Sequence, residues 1–215
     1  MKIGILNALS SEELSGIAWH GSTAGTYIRF LESAGAAFTY EVYQVNEGQL
    51  PASVDECNAY LITGSINGVY DEEPWIAGLI SFIQECHAAG KKMVGICFGH
   101  QVLAHALGGR TEKSEKGWGL GLKKFNFVGS KPWMESNPGD CSLYFSHQDQ
   151  VVQLPENAEW LGGNEFCENV MFAIGDQVLG IQGHPEFTKE IMSDILTKLE
   201  EDTAAHVWEP AQRSL

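Results

Sequence analysis

The stretch "MVGICFGHQVLAHALGG", residues 93–109, joins an apolar run to a helical pattern through a single cysteine. Cys97 ends the run, with Gly95 two residues before it and Gly99 two residues after it. A chain that leaves a buried strand and enters a helix within one residue must turn sharply. Glycine at those two positions removes side chains that would collide across the turn. Such a strand-turn-helix presents a thiol at a helix N-terminus. There the backbone N–H groups of Phe98 and Gly99 are expected to point toward it, and the helix dipole favours thiolate over thiol. Read alone, the same residues equally describe a buried structural cysteine beside two packing glycines in a glycine-rich chain.

Upstream of this turn, short apolar runs alternate with helix-period stretches. "KIGILN" (2–7), "FTYEVYQV" (38–45), "AYLITG" (59–64) and "KMVGIC" (92–97) read as strands. "GTYIRFLESAG" (25–35) puts Tyr27, Ile28 and Leu31 on one stripe and stops at Gly35. "WIAGLISFIQECHAAG" (75–90) does the same with Ile76, Leu79, Ile80 and Ile83, with Pro74 in its first turn and Gly90 at its stop. Strands alternating with helices imply βαβ units and an α/β fold, an open doubly wound, mostly parallel sheet flanked by helices. Ligands then belong at the carboxyl ends of the strands.

The second half changes character. "LGLKKFNFV" (120–128), "CSLYFS" (141–146), "VMFAIG" (170–175) and "QVLGIQG" (177–183) are strand-like with few helical patterns between them, so an antiparallel extension of the sheet is expected. The "GD" at 175–176 reads as a hairpin turn. A final helix is expected from Glu186 or Phe187, carrying Ile191, Ile195 and Leu199 on one face. Residues 1–202 are read as a single domain, and residues 203–215 as a polar, loosely held tail.

Composition sets the outer limits. A chain of 215 residues with 44% hydrophobic content can bury one substantial core. No stretch approaches the roughly 18 to 20 apolar residues of a membrane span, and the apolar run after Lys2 is too short for a signal-peptide core, so a soluble, unprocessed cytoplasmic protein is expected. Cys57, Cys86, Cys97, Cys141 and Cys167 are odd in number and widely spaced, with no Cys-x-x-Cys pair and no zinc-type spacing. Neither a disulfide framework nor a metal site is expected. The net charge of −15 argues against nucleic acid and against anionic membrane surfaces as partners. No P-loop or dinucleotide fingerprint is present, and no cofactor is expected.

A cysteine nucleophile needs a base, and the base needs an orienting group. "GIQGHPEF" (180–187) supplies both: His184 and Glu186 follow a strand-like run, and at i and i+2 on extended backbone their side chains leave on the same side, with Pro185 stiffening the link. Taken by itself, the same segment also reads as a solvated turn capping the last helix.

The two motifs together resemble the class I, or triad, glutamine amidotransferase domain, whose fold is flavodoxin-like. "LITGSINGVYDEEPWI" (61–76), "KGWGLG" (116–121) and "YFSHQDQV" (144–151) fall in the family's order, so the likeness runs over about residues 1 to 200. It implies that Cys97 attacks a γ-glutamyl amide to give a thioester, that His184 is general base and acid, and that Glu186 orients it. It further implies an oxyanion hole made by the N–H of Phe98 and one from Gly64 or Ser65. Gln101 matches a family glutamine that holds the amino-acid end of the substrate. His147, Gln148 and Asp149 match a stretch in which the carboxylate pairs with a substrate ammonium, although a turn-forming role suits Asp149 nearly as well. "CFGHQ" in place of "CYGMQ" resembles free-standing members, GMP-synthase-glutaminase-like and γ-glutamyl peptidase-like, more than synthase-linked glutaminases. Hydrolysis of a small-molecule γ-glutamyl amide is the expected activity. The alternatives are a glutaminase subunit delivering ammonia to a separate synthase, and a regulatory scaffold that has lost catalysis.

Overall fold

The computed structural model describes residues 1–10, 12–13, 15–35, 37–128, 131–134 and 139–215. The first half follows the alternation expected of it: β1 (Lys2–Asn7), α1 (Thr23–Ser33), β2 (Thr39–Gln44), β3 (Ala59–Ile62), α2 (Pro74–Ala88), β4 (Lys92–Ile96) and α3 (Phe98–Ala106). Ser22 caps α1, its hydroxyl accepting the Gly25 N–H at 2.9 Å. Pro74 opens α2, and Gly90, at φ +72°, takes the left-handed conformation just past its end.

The second half contributes β5 (Arg110–Lys113), β6 (Gly119–Phe127), β7 (Asp140–His147), β8 (Asp149–Gln153), β9 (Glu159–Gly163), β10 (Met171–Ile174), β11 (Val178–Ile181), α4 (Lys189–Leu199) and α5 (Ala205–Arg213). Among the described residues the main sheet has nine strands in the order β2-β1-β3-β4-β11-β10-β9-β6-β7. From β2 to β11 every pairing is parallel, and from β11 to β7 every pairing is antiparallel. The fold is therefore the mostly parallel, doubly wound sheet with an antiparallel extension that the patterning implies.

Helices cover both faces of the central parallel strands, which is why β1, β3 and β4 are largely apolar on both sides, whereas the edge strand β2 is not. Ile3 and Ile5 of β1 pack with Ala24 and Tyr27 of α1, whereas Leu6 points the other way into a cluster with Ile76, Leu79 and Ile83 of α2 and Val102 and Leu103 of α3. β1 has β2 on one side and β3 on the other, so the winding direction reverses there. A reversal of this kind opens a crevice at the carboxyl ends of the strands. Asn7 lies at that point and is buried, its amide bridging Leu9 O, Thr23 Oγ1 and Gln44 Oε1.

Three expectations need correction. The strands β5, β8 and β9 have no counterpart in the apolar patterning: "RTEK" buries only Thr111, β5 and β8 form a separate two-stranded ribbon, and "EWLGG" ends in two glycines closed against the Asn126 and Glu168 carbonyls. The helix expected from Glu186 begins later, at Lys189, because Thr188 is its cap and the preceding residues form a turn. The tail is not loose. Val207, Trp208 and Ala211 on one face of α5, with Leu215 just beyond its end, join a cluster with Leu120, Ile191 and Leu196. The Trp208 indole N–H donates to Leu196 O at 2.8 Å, and Ser214 Oγ accepts the Leu122 N–H at 2.8 Å. Among the described residues no helix is long and apolar enough to cross a membrane.

Candidate active site

Cys97 is the cap residue between β4 and α3, with φ 55° and ψ −108°, and is the only non-glycine residue with positive φ among those described. A side chain in that region costs about 1–3 kcal/mol, so the surrounding chain must impose it. The imposition is visible. A Cβ at Gly95 would collide with the Gly99 carbonyl, and a Cβ at Gly99 would collide with the Ile62 carbonyl of the neighbouring strand. The Cys97 N–H donates to Ile181 O at 2.9 Å and the Gly99 N–H to Thr63 O at 3.1 Å, tying the elbow to β11 and β3. The second bond corrects one expectation: the Gly99 N–H is used by the scaffold and does not face the thiol.

His184 reaches the same point from the other half. Its N–H donates to Tyr144 O at 2.8 Å, an isolated antiparallel bridge, and the following Pro185 and Glu186 turn back. The two side chains meet in this bridge-and-turn rather than along a continuing strand: His184 Nδ1 lies 2.6 Å from Glu186 Oε1, and both residues are 5% exposed. Phe187 stacks on the imidazole with centroids 3.9 Å apart and planes 9° from parallel. Burial pulls the His184 imidazole down, but the Glu186 carboxylate and the Cys97 sulfur, which is hydrogen bonded to the ring, outweigh it and raise it to about 10. An imidazole raised in this way keeps its proton at neutral pH.

Tyr27, which the sequence places on the apolar stripe of α1, has a polar role at its tip. Its hydroxyl accepts the Gly64 N–H at 2.9 Å, and it also hydrogen bonds to Glu186. Burial, then the Glu186 charge, push the phenol well above its usual value, so it stays protonated. Of the N–H groups expected to form an oxyanion hole, Gly64 is therefore already engaged. Phe98 and Ser65 keep N–H groups with no hydrogen-bond partner among the described residues. Gly64 itself must lack a side chain: a Cβ there would press on His184 Cε1, Tyr27 Oη and Cys97 Cβ.

These groups line a cavity of about 680 Å³ at the carboxyl end of the parallel sheet. Gln101 is 3% exposed, and its Nε2 donates to Asp149 O at 2.9 Å and Gln182 Oε1 at 3.1 Å, fixing the loop after β7 to the elbow helix. His147 packs between Phe145 and Phe166 with Nδ1 2.9 Å from Asp149 O, and burial pulls its ring down to about 3, so it is neutral. Gln148 is half-buried on the wall. Burial pushes the Asp149 carboxyl up, against the pull of the Tyr70 hydroxyl and Lys113. His100, beside the elbow, packs on Phe172 and is pulled down to about 3 by burial, as befits a core residue. Among the described residues no group of His, Cys, Asp and Glu is disposed to hold a metal ion.

The structure brings Gly64, Ser65, Cys97, Gln101, His147, Gln148, Asp149 and His184 to one cavity, with Glu186 bonded to His184 and Phe98 next to Cys97 but neither on its lining, and it adds Tyr27, Tyr70, Phe187, Trp19 and Trp118. Tyr27 had one available signal, a hydroxyl on an apolar stripe facing the strand ends. Trp118 lies in the family-like segment "KGWGLG", whereas Trp19 had no signal, since a lone aromatic in a loop looks like an ordinary packing residue.

Residues 24–199 match the family Glutamine amidotransferase class-I. The chain is 33% identical to Gamma-glutamyl peptidase 3 of Arabidopsis thaliana, over 74% of this chain and 68% of that protein. It is 34% identical to GMP synthase [glutamine-hydrolyzing] of Aquifex aeolicus, over 47% of this chain and 20% of that protein. A solved glutamine amidotransferase of Thermotoga maritima superposes with a TM-score of 0.73 at 20% identity, covering 99% of this chain and 90% of that one, which establishes the shared fold. An elbow cysteine at the carboxyl end of a parallel strand of a doubly wound sheet, with this match over most of the chain, shows that the chain belongs to the class-I glutamine amidotransferase family.

Proposed function

We propose that the protein hydrolyses a γ-glutamyl amide through a thioester on Cys97. The observation that carries this reading is the continuous relay from the Glu186 carboxylate, 2.6 Å from His184 Nδ1, through the imidazole to the strained elbow thiol, inside a cavity able to hold a substrate. The Cys97 thiolate attacks the γ-carbonyl carbon, and the oxyanion is held by the Phe98 and Ser65 N–H groups. The C–N bond breaks as the His184 imidazolium gives its proton to the departing nitrogen. Water then attacks the thioester, passes a proton to His184, and the thiolate leaves with the glutamate product free. Gln101 and Asp149 hold the amino-acid end of the substrate, with His147 and Gln148 shaping that wall. The likeness to proteins named γ-glutamyl peptidase supports hydrolysis as the complete reaction, and a chain with five thiols suits a reducing, cytoplasmic compartment.

The likeness to GMP synthase supports a second reading, in which ammonia from glutamine passes to a separate synthase. Incubation with glutamine and γ-glutamyl dipeptides, with no other protein present, separates the two: turnover of either substrate alone by the isolated chain supports free-standing hydrolysis. Cys97→Ala is expected to abolish turnover, a fall of at least about 10,000-fold. Mass spectrometry after 6-diazo-5-oxo-norleucine is expected to place the adduct on Cys97, and an adduct on Cys57 or Cys141 instead would overturn the assignment. A non-catalytic scaffold would show neither turnover nor adduct.

A further inference from the structure

The cavity has two chemically different sides. Around the elbow and the loop after β7, the wall is polar: Ser65 and Asn67, with the Asn67 amide bonded to Asp71, and Tyr70, Gln101 and Asp149 tied to one another. On the far side of His184 the wall is apolar, formed by Ile17, Trp19, Trp118, Phe187, Ile195 and Leu199, all of which belong to the hydrophobic cluster beneath α4 and α5. The junction between the two sides is the imidazole itself. Phe187 lies flat on it at 3.9 Å, and the Trp19 ring lies 6.2 Å from that of Phe187. Lys198 and Asp202, of opposite sign, also line the cavity.

Proton transfer fixes what that side must face. The group that protonates the departing nitrogen has to lie within hydrogen-bond reach of it, so whatever that nitrogen carries extends past His184 onto the aromatic shelf. The polar side is left for the glutamyl moiety. Ammonia as leaving group would make no use of the shelf, and a small polar amine would leave it wetted, whereas an apolar substituent would remove it from water. A volume of about 680 Å³ also suits a two-part ligand better than a free amino acid.

We infer that the wall formed by Trp19, Trp118, Phe187 and Leu199 is the leaving-amine subsite, and that the protein prefers γ-glutamyl amides whose amine bears an aromatic or branched apolar side chain. The inference rests on the γ-glutamyl reading above and specifies the other half of the substrate. The bond broken is the amide C–N bond; the released amine carries away the His184 proton and water later restores it.

The test compares kcat/KM for γ-glutamyl-phenylalanine, γ-glutamyl-glycine and glutamine, together with labelling of Cys97 by 6-diazo-5-oxo-norleucine. The phenylalanine-to-glycine ratio is expected to be on the order of 10- to 100-fold, and Trp118→Ala is expected to bring it to within a few-fold. Leu199→Ala, a milder truncation on α4, is expected to lower the same ratio and serves if the tryptophan variant does not fold. A wild-type ratio at or below one, with glutamine consumed and Cys97 labelled, overturns the subsite while leaving the γ-glutamyl reading standing. A high ratio unchanged in the folded variants also overturns it, because the preference then arises elsewhere. No turnover of any of the three compounds and no label on Cys97 removes the γ-glutamyl reading, and this inference with it.

Discussion

At the elbow, Cys97 is held by sterics: two glycines permit a turn that no other residue would fit, and the backbone stores the strain at a single φ of 55°. At the turn formed by residues 184–186, His184 is held by polar contacts instead: a backbone bond to Tyr144, a carboxylate at 2.6 Å and a stacked ring at 3.9 Å. The elbow belongs to the parallel half and the bridge partner Tyr144 to the antiparallel half. The position of Cys97 is thus a matter of local backbone geometry, while the position and charge of His184 depend on groups brought from several elements. Substitutions should separate the two, because disturbing the first costs fold stability and disturbing the second costs charge.

Among substitutions that leave Cys97 in place, the largest effect is expected at Glu186. Glu186→Gln keeps the shape and removes the charge that raises His184, so kcat should fall about 1,000-fold or more. With the imidazole raised from 6.5 to about 10, the imidazolium that protonates the amine persists well above neutrality in the wild type, and single-turnover acylation should fall only as pH approaches about 10. In the variant that limb should move to lower pH. The stability sign follows. Between 6.5 and about 10 the folded protein holds a proton that the unfolded chain does not, so stability is fully present below 6.5 and is lost as pH rises through that window. Chemical denaturation across it should show a shallower slope in Glu186→Gln.

Gly99→Ala tests the other side. Its Cβ meets backbone rather than a yielding side chain, so urea denaturation should show a loss of about 3 kcal/mol, with the same pH dependence of whatever activity remains. Tyr27→Phe acts where the two regions touch: it frees the Gly64 N–H and removes a contact to Glu186. A fall in kcat of about 10-fold is expected, with KM nearly unchanged, and a change confined to melting temperature would reduce Tyr27 to a packing residue. The smallest effect concerns the stored strain. Cys97→Gly should be more stable than Cys97→Ala by about 1 kcal/mol, since only glycine adopts positive φ without penalty, and equal stabilities would remove strain from the account of the elbow.

The first half of the fold was legible because its strands and helices obey two clean periods, and the boundaries of α1 and α2 carry their own stop signals in Gly35 and Gly90. In the antiparallel half, β5 and β9 are short, polar or glycine-rich, and are strands because of what they pair with. The tail shows a different failure. Its charges made residues 203–215 read as polar and loose, although Val207, Trp208, Ala211 and Leu215 already had the spacing of one helical face.

By itself the sequence determined the elbow, the alternation behind it and the candidate groups Cys97, His184 and Glu186, because steric exclusion at Gly95 and Gly99 and the pairing of His184 with Glu186 act between near neighbours in the chain. Only the tertiary structure decided that the Gly64 and Gly99 N–H groups are engaged by Tyr27 and Thr63, that His184 is raised while the equally buried His147 is pulled down, and that aromatic side chains from three segments form one apolar wall beside His184. Those outcomes depend on hydrogen-bond partners, buried charge and shared surface between residues far apart in the chain, and such distances are set by packing.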